Sequence, residues 1–546
     1  STLTLFVFGT TPGSGYDQYI TEALTLDNTT LSVSGAKLQL GAEYNLIDVT
    51  GMSPVSGEFN GFSESDYYVL GNQLVSLSYV GGDGNDVVLR VIKNDNKFFV
   101  KANLGNRGLS DGLSWDTAFS TLQDALAVAP NGSEIWVAQG VYYPDEGTNQ
   151  VNDSLFSIFE LVPGVSLYGG FVGDETDLNA RDPFTHLTIL SGDIDGNDIN
   201  TDDNGVAENV DHIQGANTYQ ILNGEAVDTS VMFDGFIVTA GDSVNRGAGM
   251  NCGTASIGPA INQVMFIGNR ADDRGAATVG CTQQVSNTQY INNEAGDLAG
   301  AVLANGGYME SVVFEGNFAS IQAGALLNSS DLLTIINGSF IGNSNGQGAG
   351  GAIRGDADLY IESSLFLGNK GKDGGAIRMI TTHDLELVNV TITGNRATGK
   401  GGGIYSNGSG GLSVINSIIW NNQDNSGLGT MDASILYEFG LVNNQWSLIQ
   451  GWGTTGNFNL DEDPLFYADT DPSDAPTVVG NSRLVIGSPA LNAGNNAAVI
   501  TQLDLDGEDR IQDTTGEMGA FEGMVFVTGY GSGLHVVDAS DPTRPV

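Results

Sequence analysis

The chain has 546 residues, of which 77 are Gly and only 13 Pro. Its 19 Lys and Arg stand against 65 Asp and Glu, a formal net charge of −46. Nothing in such a chain can neutralise a phosphate backbone, so nucleic acid is excluded as a partner, and an anionic membrane surface repels it.

No apolar run reaches the roughly 18 residues of a membrane-spanning helix. Charged residues make up 15% of the chain, below the usual quarter or so. The surface must therefore be built from Asn, Ser, Thr, Gly and Asp. Cys252 and Cys281 are too few for a disulfide framework. The chain opens on Ser1 and reads as a mature or excised piece of something longer. Few Cys, high acidity and abundant Asn, Gly and Thr suit a secreted bacterial protein.

Residues 1–92 alternate apolar and polar positions and carry no helix signal, which predicts a β-rich segment, either a solenoid or a sandwich piece. Asn94-Asp95-Asn96 reads as a linker. The clearest helix spans 116–129: Phe119, Leu122 and Leu126 share one face, Asp116 is placed to cap it, and Pro130 follows. One amphipathic helix covers the open end of a solenoid. Ile135–Ala138 and Val165–Tyr168 read as strands of the first coils.

An acidic loop comes next. Asp193, Asp195, Asn197 and Asp198, followed by Asp202 and Asp203, alternate oxygen ligands on a tight loop, a pattern that can surround Ca²⁺. The same residues also make a solvated loop of Asx turns. Asp504 and Asp506 form a smaller candidate of the same kind.

Between about Phe233 and Asn422 the chain repeats itself. A short apolar run ends in Asn, usually after Gly, at Asn269, Asn293, Asn317, Asn343, Asn369, Asn395 and Asn422. A Gly-Ala or Gly-Gly pair lies between consecutive members, for example Gly324-Ala325 and Gly374-Gly375. A period near 25 residues matches one turn of a parallel β-helix, whose coils stack at about 4.8 Å. Glycine would supply the corners, and Asn would take left-handed turn positions and stack along the axis. Phe266, Phe314, Phe340 and Phe366 share one place in the coil, which predicts an internal aromatic stack.

Cys252 and Cys281 lie 29 residues apart, close to one coil. Adjacent coils would bring them within reach of a disulfide, or stack them as free thiols. Arg354 and Arg378 each follow a Gly-Gly-Ala-Ile unit and should share a face. They are candidates for sugar contact, or else rungs of a charge ladder with Asp356 or Asp373. The four histidines show no ligand spacing, and no catalytic triad or zinc motif is present.

Several ordered motifs carry a family resemblance. They are Ser110-Asp-Gly-Leu-Ser-Trp115, Leu167-Tyr-Gly-Gly-Phe171, Asp463-Pro-Leu-Phe466, Gly487-Ser-Pro-Ala-Leu-Asn492 and Met518-Gly-Ala-Phe-Glu522. With them, residues 98–523 resemble the bacterial extracellular right-handed parallel β-helix proteins of the choice-of-anchor Q type. The internal repeats are similar to those of polymorphic outer-membrane proteins. The resemblance implies a closing region over 450–523, secretion and surface attachment, and no particular reaction. Residues 1–92 resemble an autotransporter-associated β segment. Residues 524–546 resemble one LVIVD repeat, the start of a β-propeller-type module.

The reading is therefore an all-β, extracellular, cell-surface module, structural or adhesive, in a filament, stalk or surface layer. Its expected partners are other copies of itself, other surface proteins or glycans, with Ca²⁺ as the one expected cofactor. The alternative is a β-helix protein that binds or degrades polysaccharide.

Overall fold

The computed structural model describes residues 2–35, 38–70, 73–102, 110–253, 257–380, 382–454, 457–511 and 515–522, with two short strands beyond them. Those strands, Phe526–Val527 and His535–Val536, pair antiparallel. The rest of the LVIVD-like stretch 524–546 lies outside the described residues. Residues 1–140 with 161–186 form one unit, and residues 141–160 with 187–546 form another.

The first unit begins with stacked parallel pairs. Thr2–Val7 lies beside Thr30–Gly35, and Tyr19–Thr21 beside Glu43–Val49. An antiparallel hairpin, Gln73–Gly81 with Asp86–Lys93, closes this sheet against Glu43–Val49. Alternate residues such as Leu46, Val75, Leu77, Val87 and Leu89 face inward and are fully buried. The segment is thus a short parallel stack that ends in a meander. Lys97–Val100, Glu134–Ala138 and Ser166–Phe171 then pair in parallel as successive coils.

The expected helix over 116–129 is shorter and starts later. Ser114 caps a single 3₁₀ turn, Trp115–Thr117, and Thr121 caps the α-helix Leu122–Val128. Phe119 belongs to neither. Its amide donates to Phe99 O at 2.9 Å, and its carbonyl accepts from Lys101 N at 2.8 Å. Those two backbone bonds hold Phe119 extended beside the first strand and split the helical pattern, so Asp116 caps nothing. Leu122, Ala125 and Leu126 are buried against the first coils.

The second unit is a parallel β-solenoid. One sheet has ten strands, from Phe159–Glu160 to Ile435–Tyr437, and another has nine, from Asp242–Ser243 to Gly427–Leu428. The third and widest sheet contributes two strands per coil. In one coil these are Leu359–Glu362 and Leu365–Leu367, and both pair in parallel with the next coil.

The two are separated by a sharp bend at a residue of positive φ, which recurs at Gln263, Asn287, Ser311, Asn337, Ser363, Asn389 and Asn416. Asn and Ser tolerate this conformation because a short polar side chain can bond locally. Phe266, Tyr290, Phe314, Phe340 and Phe366 stack inside, with consecutive centroids 5.4, 4.6, 4.7 and 4.7 Å apart. Tyr290 fills the coil for which no Phe is available.

The two glycines of each corner have different duties. Gly350 has φ +80°, a left-handed corner. Gly351 does not, but a Cβ there would sit 1.8 Å from Gly375 O in the next coil. The second glycine therefore sets how closely coils approach. At Gly324 the left-handed residue is the preceding Ala323, and Gly324 serves close approach alone.

Candidate functional site

The Asn residues of the repeat form a continuous ladder inside the solenoid, and all seven are fully buried. Asn317 Nδ2 donates to Asn343 Oδ1 at 2.9 Å, and Asn317 N donates to the same oxygen at 3.0 Å. Asn343 repeats the arrangement with Asn369, at 3.0 and 2.9 Å. The second amide proton goes to a backbone carbonyl, as from Asn343 Nδ2 to Phe314 O. The chain of bonds runs unbroken from Asn269 through Asn293 and Asn395 to Asn422. These Asn residues do not occupy the left-handed position, which was the expectation from sequence. That position belongs to the residue before each: Gly268, Asn292, Gly316, Gly342, Gly368, Gly394 and Asn421. The turn residue frees the following Asn to point inward and bond along the axis.

Cys252 and Cys281 are joined by a disulfide between neighbouring coils, Cα atoms 5.2 Å apart, and both are buried.

The acidic loop is organised by its own N–H groups. Asp193 accepts from the amides of Asn197 and Asp198 at 3.0 and 3.2 Å. Asp195 accepts from Ala216 N at 3.0 Å, and Asp198 from Asn217 Nδ2 at 2.8 Å. Asp202 accepts from Asn204 Nδ2 at 2.9 Å, and Asp203 takes a positive φ. Asp504 accepts from the amides of Asp506, Glu508 and Glu522 at 2.9, 2.8 and 2.7 Å. Asp506 pairs with Arg483. Among the described residues, no group of three His, Cys, Asp or Glu side chains is placed to hold a metal ion.

The loop nevertheless carries a charge cost. Burial first, then repulsion from Asp193 and Asp195, pushes the Asp198 carboxyl up to about 6. An unfolded Asp ionises near 3.9 or so. The fold therefore holds a proton that the unfolded chain has lost, and stability falls as pH rises from about 4 to about 6. Asp198→Asn is expected to stabilise the protein at pH 7.5 by about 1 kcal/mol, after discounting for solvent screening, and to change nothing at pH 3. Thermal melts of both proteins at the two pH values test this. A variant less stable than the parent at pH 7.5 refutes it.

Arg354 and Arg378 are register partners on the ten-stranded sheet. Arg354 pairs with Asp356 at 2.6 and 3.0 Å. Arg378 lies over the Tyr405 ring at 4.0 Å and donates to Asn407 Oδ1 at 2.9 Å. Burial holds its guanidinium below the usual arginine range. Tyr405 in turn donates to Glu438, which also binds Lys400. The ring face that a sugar would need is taken by the protein's own cation.

What sequence reasoning missed is a cover over the widest sheet. The outward residues of its second strands form a mixed row in register from coil to coil, Ile237, Met265, Gln289, Val313, Ser339, Leu365, Thr391 and Ile418. Residues 199–212 fold over one end, where Val206 packs on Ile189, Ile237 and Ile267. Residues 450–522 turn back over the other, where Phe521 and Ala520 pack on Leu365 and Leu367.

This returning strap is docked on three successive bends. Ser363 accepts from Arg510, Asn389 donates to Glu517 O, and Asn416 exchanges two bonds with Asn495. Glu362, fully buried, accepts from the amides of Ile500 and Thr501. Between the two covers Gln289, Val313 and Glu315 remain partly exposed, while Ile291 packs against the first cover's cluster and Ile341 against the second's. Beside the strap lies a cavity of about 250 Å³ that Ser339 and Ile341 help to line.

One known repeat matches the chain: the Chlamydia polymorphic membrane protein (Chlamydia_PMP) repeat, over residues 389–407. The matched stretch contains ladder residue Asn395 and the corner Gly401-Gly402. No curated protein and no solved structure matches. No helix among the described residues is long and apolar enough to cross a membrane.

Proposed function

We propose that the chain is a structural or adhesive module of a bacterial surface protein, a stiff β-helical spacer that displays neighbouring modules. The observation that carries this reading is the ladder from Asn269 to Asn422. Every coil is tied to the next by buried amide bonds, over an aromatic stack, which resists bending and local opening. The polymorphic membrane protein repeat supports placement at a surface or outer membrane. The strap over 450–522 corresponds to the choice-of-anchor closing region. The autotransporter-like and LVIVD-like ends belong to the same proposal, as do lateral contacts with other copies.

The test is access from outside. Antibodies raised against the purified chain should label intact cells that produce it, and protease added to those cells should remove the label. Labelling seen only after permeabilisation would sink the reading.

A further inference from the structure

We propose that the cavity beside the strap binds one neutral hexose unit of a glycan. The proposal rests on the adhesive part of the reading above and supplies its ligand class.

The cavity has two kinds of wall. Ile341, Leu365 and Leu367 form its floor, and Val478, Leu505 and Phe521 continue the apolar lining. Ser339, Asn481, Ser482, Arg483 and Asp506 supply the polar lining. Arg483 donates to Asp506 at 2.6 Å and lies 4.7 Å from the centre of the Phe521 ring, so its charge is already balanced.

One group is left over. Ser482 is 4% exposed, and its hydroxyl has no hydrogen-bond partner among the described residues. A buried polar atom left in this state costs free energy, and because its surface is closed to solvent a ligand hydroxyl would relieve it through a turn of the Ser482 side chain into the cavity.

These features select the ligand. A pyranose ring has an apolar C–H face for the floor and a rim of hydroxyls for Ser482, Asn481 and the ion pair. At about 250 Å³ the cavity lies below the roughly 300 Å³ that encloses a drug-sized molecule, which suits a single ring. An acidic sugar would find a neutralised arginine inside a chain of net charge −46. The partly exposed Val313 and Glu315, one coil before Ser339 and Ile341 of the cavity, give an adjoining sugar a place to rest.

The experiment uses the whole chain. It is screened against immobilised neutral oligosaccharides (cellohexaose, mannohexaose, xylohexaose, laminarihexaose) and acidic ones (oligogalacturonate, heparin oligosaccharides). Positives are titrated by calorimetry. A hexose-based neutral oligosaccharide is expected to bind. Val478→Trp, at a position 54% exposed, should fill the cavity and weaken binding about tenfold or more. Ser482→Ala should weaken it too without lowering the melting temperature, Arg378→Ala should leave binding intact, and Val478→Trp should melt with the parent. Absence of neutral binding at millimolar ligand, preference for the acidic sugars, or binding indifferent to Val478→Trp would each overturn the proposal. None of these outcomes touches the surface reading, which the labelling of intact cells decides separately.

Discussion

Replacing Asn343 by leucine is expected to open the solenoid locally, at a cost of about 4 kcal/mol. The substitution conserves volume approximately, so packing is not its main effect. It removes the acceptor for both Asn317 N and Asn317 Nδ2. It also removes the donor to Phe314 O and Asn369 Oδ1. The backbone groups Asn317 N and Phe314 O, and one amide hydrogen of Asn317, are then left buried without their bond. Each such loss costs roughly 1–3 kcal/mol in isolation, and neighbouring losses do not simply add.

Coils interact chiefly with their neighbours, so the damage should stay within a coil or two. Hydrogen exchange resolves this: the amides of 314–319 and 340–345 lose protection while those of 233–239 keep theirs. Asn337→Gly is the control. Asn337 sits at the bend with φ +53°, a conformation glycine takes without strain, so its loss should cost under about 1 kcal/mol. Equal effects of the two substitutions would show that the ladder contributes nothing special.

The repeat was legible because its inward face is periodic. Phe, Gly and Asn recur at fixed places in the coil, and the same physical need recurs with them. The period alone gave the parallel pairing, the Phe266–Phe366 stack and the series of Asn. It did not separate the duties of adjacent residues. Asn292 and Asn293 differ only in backbone conformation, and nothing local says which one turns and which one points inward. The helix shows the same limit. Asp116 and Thr121 are both acceptable caps, and two backbone bonds from Phe119 to the first strand decided between them.

The strap was hidden for a different reason. Its contacts join residues more than a hundred positions apart, such as Glu362 with Thr501 and Thr391 with Ala520, and each occurs once. A signal made of single pairings leaves no period to detect. The acidic motif at Asp504 and Asp506 looked like a loop for a cation. In the fold Asp506 meets Arg483 and Asp504 accepts from the amides of Asp506, Glu508 and Glu522, contacts that no local pattern announces. The cavity lies between parts of the strap and the sheet beneath, so it too was invisible until both were placed.

The second large effect is expected at Arg510, where Arg510→Ala should release the strap and leave the solenoid standing. Arg510 is 1% exposed and bonds Gly519 O, Ala520 O, Ser363 Oγ and Glu522 Oε1, at 2.9, 2.9, 2.9 and 3.1 Å. Truncation leaves Glu522 buried and unpaired, which costs about 3–5 kcal/mol. The end of the strap near 519–522 is held by these bonds and by the small cluster of Ala520 and Phe521 on Leu365 and Leu367, so a loss of this size should free it. Amides of 500–520 should then exchange freely, and the uncovered Leu365, Leu367 and Thr391 face should bind a hydrophobic dye.

The double substitution Arg510→Met with Glu522→Gln separates charge from packing. It removes the Arg510–Glu522 pair together and should recover part of the loss, because Glu522 is no longer left as an uncompensated charge, while Asp504, Glu362 and Glu517, which also face Arg510, keep theirs. Glu362→Gln probes the other end of the same strap. Its carboxylate accepts from Ile500 N, Thr501 N and Thr501 Oγ1 through one oxygen, and from Tyr360 through the other. A glutamine can keep its oxygen on 500–501 and donate to Tyr360, so Glu362→Gln should hold the strap, whereas Glu362→Ala should loosen 500–501 without freeing 519–522. If Arg510→Ala instead unfolds coils 359–420 along with the strap, then the strap is part of the solenoid's own stability, and the cavity at its edge is a seam in the core.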